Sequence, residues 1–276
     1  MEITAALVND LRKRTGAGMM DCKKALVEAN GDTQNAIDIL RKKGQKVAAK
    51  RGENETKEGL VIAKAVNNNT SGVILSLSCE TDFVAKNDTY YKLVDSFVEL
   101  AAKTRPQSVE AFMNEKYDDS LTVAEKITEQ IGVIGEKLEI TNLSIIDADA
   151  VVEYNHPGNQ VATLIGLTKS GDAAIDAGKQ VAMQVAAMAP LALNKEGIDA
   201  DTIAREIEIG KELAIQEGKP ADMAEKIAQG RLQKFFKEST LLSQEFIRDN
   251  KKSVEQFLND TEKGLTVKDF RRVALK

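Results

Sequence analysis

A chain of 276 residues with 42% hydrophobic and 29% charged side chains is long enough for one or two packed cores, and its balance is that of an ordinary globular protein rather than a disordered or fibrous one. A net charge of -5 excludes a general polyanion binder, which needs clustered Lys and Arg against phosphates, although it leaves room for a local basic patch. No apolar run approaches the ~20 residues that cross a bilayer, Met1 to Thr4 open no signal-peptide pattern, and two cysteines, Cys22 and Cys79, are too few for a disulfide framework, so a reducing cytoplasm is the expected location.

Residues 1–45 read as three short helices, carried by Ala5, Leu7, Val8 and Leu11, then Met20, Ala25 and Leu26, then Ala36, Ile37, Ile39 and Leu40. Turns fall at Thr15-Gly16-Ala17-Gly18 and at Asn30-Gly31-Asp32-Thr33, where Asp32 or Thr33 caps the third helix. Residues 46–58 turn charged and poor in large apolar side chains, as a linker does. Arg41, Lys42, Lys43, Lys46, Lys50 and Arg51 make the region basic, either as a solvated helix end or as a polyanion contact.

Beyond the linker, one pattern occurs twice. Leu60 to Val66, a polar turn at Asn67-Asn68-Asn69, and Gly72 to Leu77 predict a strand hairpin. Val151 to Tyr154, a turn at His156-Pro157-Gly158-Asn159, and Val161 to Leu167 predict another. A helix follows each, spaced by Tyr90, Leu93, Val94, Phe97 and Leu100 in one and by Ile175, Val181, Ala182, Val185 and Ala186 in the other. Each unit closes on a β-like run, Leu138 to Ile146 and Leu265 to Phe270. The expected fold class is α+β: a three-helix module, then two related sheet-plus-helix subdomains over 59–150 and 151–276.

The second subdomain carries an insertion at 195–236. Ile203, Ile207, Ile209 and Leu213 lead to the breaker Gly218-Lys219-Pro220, and Ala224, Ile227, Ala228, Leu232 and Phe235 resume helical spacing. A projecting antiparallel helical hairpin is predicted, with Gly210 opposite Gly230 because both lie ten residues from Pro220.

Enzymatic chemistry finds little support. No Gly-x-x-x-x-Gly-Lys-[Ser/Thr] loop occurs, and Gly16-Ala17-Gly18 runs into Met19-Met20-Asp21 without the residues that hold phosphate and magnesium. The single histidine, His156, and two cysteines at no zinc-finger spacing leave no metal site. Cys79 with His156 is the sole candidate nucleophile-base dyad, against the alternative of a buried structural thiol. At Thr81-Asp82-Phe83-Val84, Thr81 or Asp82 can cap a helix, and Phe83 either packs in the core or stands out for a partner.

Three segments in order over almost the whole chain resemble the elongation factor Ts family: Leu11 to Leu26, Thr81 to Lys86, and Gly218-Lys219-Pro220 with Ala224-Glu225-Lys226-Ile227 and Gly230-Arg231. The resemblance implies an amino-terminal module similar to ubiquitin-associated domains, a two-part core and a coiled-coil arm. It implies a nucleotide exchange factor, not an enzyme, whose partner is elongation factor Tu, met through the GTPase domain and a second domain. By the same resemblance, Asp82 and Phe83 disturb the partner's magnesium and phosphate surroundings, and Thr81 and Val84 shape that wedge. Arg12, Thr15, Gly16, Met19 and Met20 are implied to dock, as is Gln184, at a position where some members carry histidine. No cofactor or metal is implied; the partner binds the nucleotide, and neither membrane nor nucleic acid is an expected partner. Many members continue past the last core strand into a further helix that touches the partner, whereas this sequence ends at Lys276, so that contact is not carried over. An RNA-binding adaptor built on Arg41 to Arg51, or a hydrolase built on Cys79 and His156, leaves Thr81 to Val84 unexplained.

Overall fold

The computed structural model describes residues 3–275; Met1, Glu2 and Lys276, on which the readings of the two chain ends partly rest, lie outside them. The first three helices form where apolar spacing predicts them, as α1 (Ala5–Thr15), α2 (Met19–Glu28) and α3 (Thr33–Arg51). Thr4 caps α1 by accepting the Leu7 amide at 3.3 Å, and Asp32 caps α3 by accepting the Asn35 amide at 2.9 Å. Their shared core is Val8, Leu11, Cys22, Ala25, Leu26 and Ala36. Met20, assigned to that core by its spacing, points to solvent instead, and Cys22 fills the buried position.

The linker expected at 46–58 is shorter, because α3 continues through the charged stretch to Arg51 and the first strand begins at Glu58. The cause is tertiary. α3 lies against α7 (Val123–Ile134), where Gly44 meets Gly132, and a Cβ on Gly44 would fall 2.7 Å from the Thr128 carbonyl oxygen. Glycine at both positions lets the two backbones touch. Val133 of α7 also packs on the core of the first three helices, so this module is docked on the next unit along its third helix.

The first sheet has the antiparallel order β1 (Glu58–Val66), β2 (Ser71–Cys79), β3 (Glu139–Asp147), with Ile62 opposite Leu75 and Leu75 opposite Leu143. Its hairpin turns through Asn67, Asn68 and Asn69, with φ of 54°, 55° and 62°, a left-handed run that asparagine tolerates better than other side chains with a Cβ. Between β2 and β3 run α4 (Asp82–Ala85), α5 (Asp88–Thr104), α6 (Val109–Met113) and α7. The second sheet repeats the topology. β4 (Ala150–Asn155) and β5 (Val161–Leu167) form the hairpin, α8 (Asp172–Met188) follows, and β8 (Val267–Ala274) pairs beside β5.

The sheets meet across a shared apolar layer of Val61, Ala63, Ile74 and Ile146 from one and Val151, Ala162, Leu164 and Val273 from the other. Helices cover the opposite faces: Tyr90, Phe97 and Phe112 pack on Leu75 and Leu77, and Val181, Val185 and Leu258 pack on Ile165 and Leu167. The Asn155 carboxamide stitches the units together, accepting the Ala63 amide at 2.8 Å and donating to the Ala63 carbonyl at 2.9 Å. The result is the α+β architecture that the repeated pattern predicts.

The insertion forms α9 (Ala200–Gln216) and α10 (Ala221–Ser239), which pack chiefly on one another. Their buried seam is made chiefly of small residues, Gly210 and Ala214 against Ala224 and Ala228, with Leu232 beside them, while Ile209, Leu213 and Ile215 are exposed. The predicted register is off by two residues. Gly210 faces Ala228, and Gly230 has open space beside it, because the turn between Gln216 and Ala221 is not centred on Pro220. After the arm come a small hairpin, β6 (Glu245–Phe246) with β7 (Asp249–Ser253), and α11 (Val254–Thr261), whose capping box joins Ser253 and Gln256.

Candidate functional site

β2 ends at Cys79, and α4 begins three residues later, so Glu80 and Thr81 turn the chain from strand to helix. Thr81 rather than Asp82 is the cap, its Oγ accepting the Val84 amide at 3.5 Å. Ala85 is buried under α4, and Val84 is half-buried against the core of the first sheet. Phe83, on the outer side, is 83% exposed. A core Phe is excluded by that figure. Covering such a ring would gain about 1.5–3 kcal/mol of hydrophobic burial, so it is open to contact by a partner surface.

Asp82 is half-buried and ion-paired with Lys86 at 2.6 Å; that hydrogen bond holds its carboxyl below the usual carboxylate range. The pair anchors the solvent side of α4. The inner side is held by two carboxylates that reading the sequence did not single out. Glu136, just past α7, accepts the Glu80 amide at 3.1 Å, the Thr81 amide at 3.0 Å and the Thr81 hydroxyl at 2.6 Å. Glu80 in turn accepts the Lys137 amide at 2.6 Å, Arg51 of α3 at 2.8 Å and Asn54 at 2.9 Å. Burial alone would raise the Glu80 pKa, but these donors outweigh it and hold the group ionised. Hydrogen bonds spanning from 26 to 57 residues of sequence build this arrangement, so no local motif could have marked it.

The other expected docking residues divide into surface and interior. Arg12, Gly16, Met19 and Met20 are exposed around the α1–α2 turn, with Met19 and Met20 at 58% and 63%; Gly16 closes α1 at φ 70°. Thr15 is corrected: it is buried, its hydroxyl donating to the Leu11 carbonyl at 2.9 Å and accepting the Ala17 amide at 3.3 Å, so it shapes the turn from inside. Gln184 is corrected as well. It is fully buried in α8, donates to Gln244 at 3.2 Å and to the Glu245 carbonyl at 3.0 Å, and accepts the Ile247 amide at 3.0 Å. A carboxamide so engaged supports the β6–β7 hairpin from inside the second unit.

The Cys79–His156 pair is not assembled. Cys79 is buried, donates to the Thr81 carbonyl at 3.2 Å and is pushed up to about 11 by desolvation, so it is a neutral thiol at physiological pH. His156 is engaged by Tyr154 at 2.9 Å. The basic tract is also partly committed, Lys43 to Asp21 at 2.6 Å and Arg51 to Glu80.

The family model described as Elongation factor TS matches residues 80–276. Relatives named Elongation factor Ts align almost end to end. The protein of Christiangramia forsetii is 54% identical and that of Amoebophilus asiaticus 47%, each over 99% of this chain and 99% of the relative. That of Porphyromonas gingivalis is 42% identical over 100% of this chain and 99% of the relative.

Proposed function

The chain belongs to the elongation factor Ts family, and from that premise we propose that it docks on GDP-bound elongation factor Tu and drives Phe83 into the surroundings of the partner's magnesium and phosphates. Membership makes it a translation elongation factor that promotes nucleotide exchange on elongation factor Tu. The exposed patch of Arg12, Gly16, Met19 and Met20 docks on the GTPase domain. Exposed apolar side chains far along the chain, Ile209, Leu213 and Met223 on the arm and Met188, Leu191 and Ile247 near its base, suit contact with a second domain. The protein acts in the cytoplasm and makes or breaks no covalent bond; no helix among the described residues is long and apolar enough to cross a membrane.

The observation that carries this reading is the exposed ring of Phe83 on a helix whose start is held by Glu136 and Glu80. A nanomolar nucleotide complex is worth about 12 kcal/mol, so release requires the exchange factor to bind the empty partner better than the occupied one. Linkage makes this reciprocal: the factor by which the protein weakens GDP is the factor by which nucleotide weakens the protein, and incoming GTP expels it. A preset aromatic wedge with a carboxylate at its side, Asp82, spends that difference at the magnesium site. Release of labelled GDP from elongation factor Tu with and without the protein tests the reading: acceleration supports it, and an unchanged rate rejects it.

A further inference from the structure

We propose that Glu136 is the positioning residue of the exchange element, holding Phe83 at its working angle through the Glu80–Thr81 backbone. This rests on the reading of Phe83 as the wedge. The geometry is reciprocal. The Glu136 carboxylate takes two consecutive amides and a hydroxyl from the turn that launches α4, while the Glu80 carboxylate from that turn takes the Lys137 amide next to Glu136. Two segments far apart in sequence thus clamp one another as a pair of strands would, but with side-chain carboxylates as acceptors.

The clamp also reaches the docking module. Arg51 at the end of α3 places one nitrogen 3.0 and 2.8 Å from the two Glu80 oxygens, and Lys137 donates to the Gly52 and Asn54 carbonyls at 3.0 and 3.2 Å. Glu80 is 15% exposed, so its contacts are shielded from water. Helix α7, which ends just before Glu136, is the helix on which α3 lies through Gly44 and Gly132. The module that meets the partner and the ring that displaces its nucleotide are therefore referenced to one rigid point. A helix of four residues has too few internal hydrogen bonds to hold a direction alone, which makes the external acceptor necessary.

The test is a double-mutant cycle on Glu136→Ala and Phe83→Ala, read as GDP release from elongation factor Tu at saturating protein and as the half-saturating concentration. Glu136→Ala is expected to slow saturated release by about tenfold or more, since small misplacement of an acting group has effects of that order, with half-saturation changed less than about twofold. The double variant is expected to be no slower than Phe83→Ala alone, because Glu136 acts through that ring. Glu136→Gln, which can accept the amides and donate to Thr81 Oγ, is expected to recover most of the rate. Normal release by Glu136→Ala beside a defective Phe83→Ala, or losses that multiply in the double variant, overturns the role of Glu136 alone. Normal release by Phe83→Ala rejects the wedge reading and this inference with it. Hydrogen exchange of the unaltered protein gives a check independent of any variant's folding: the Glu80 and Thr81 amides are expected to be protected, and exchange at the rate of open amides overturns the clamp.

Discussion

Gly210 of α9 and Ala228 of α10 meet across the arm, a Cβ on the glycine lying 3.2 Å from that of the alanine and 3.1 Å from its Cα. No side chain separates the backbones there, and Lys211–Glu225 and Arg231–Glu217 bridge the exposed flanks. Cysteines at 210 and 228 should therefore form a disulfide under mild oxidation, since Cβ atoms in disulfides lie about 3.5–4.5 Å apart and only a small relaxation is needed. Cysteines at 210 and 230 should not, because position 230 turns away. Non-reducing electrophoresis after tryptic cleavage distinguishes the pairs, and efficient crosslinking of 210 to 230 would refute the observed register.

Gln184→Ala should act on stability and not on association. It removes the acceptor of the Ile247 amide and the donor to Gln244 and Glu245 inside the second unit. Leaving buried polar groups unpaired costs about 1–3 kcal/mol, so the thermal midpoint should fall by several degrees. The concentration of protein giving half-maximal GDP release should stay as it was. The opposite pattern, an unchanged melt with weakened association, would restore Gln184 to the surface.

How much could be read in advance depended on how local the cause was. Both hairpins announce themselves through short apolar runs around Asn67-Asn68-Asn69 and His156 to Asn159, and the helices through spacing such as Leu93, Val94 and Phe97. The repeat of hairpin, helix and closing strand then made the α+β class legible. Features with a distant cause were not. The length of α3 depends on Gly44 finding Gly132, and the burial of Gln184 on a hairpin sixty residues away. That hairpin itself, at 245–253, alternates too weakly to be seen. At the candidate site, Thr81 to Val84 stood out in the chain, but the exposure of Phe83 and the role of Glu136 belong to the folded arrangement.

Cys79 gives a dependence on alkaline pH. An ordinary thiol titrates near about 8.5, whereas burial pushes this one up to about 11. Because the folded pKa is raised, the stability linked to the neutral thiol is complete below the unfolded value and is lost as pH rises from there toward the folded value. The denaturation midpoint should thus fall between about pH 8.5 and 11, and fall less in Cys79→Ala. At pH 8 the native protein should react slowly with a thiol reagent and the denatured protein with both cysteines. Rapid labelling of native Cys79 would contradict its burial.

Phe83→Ala is the most direct test of the exchange mechanism, because the two roles open to an aromatic residue fail in different ways. An exposed wedge, once removed, should leave the melting temperature within about a degree or two of the unaltered protein, while a core Phe would cost roughly 3–5 kcal/mol. Asp82→Ala should give a smaller exchange defect, since in the proposed mechanism its carboxylate only assists the ring, and it is already shared with Lys86. Stopped-flow release of labelled GDP from elongation factor Tu, measured at saturating protein alongside thermal melts, decides the matter. The account predicts that Phe83→Ala docks and melts normally but loses most of its acceleration of release. Release at the unaltered rate by a stably folded Phe83→Ala would contradict it.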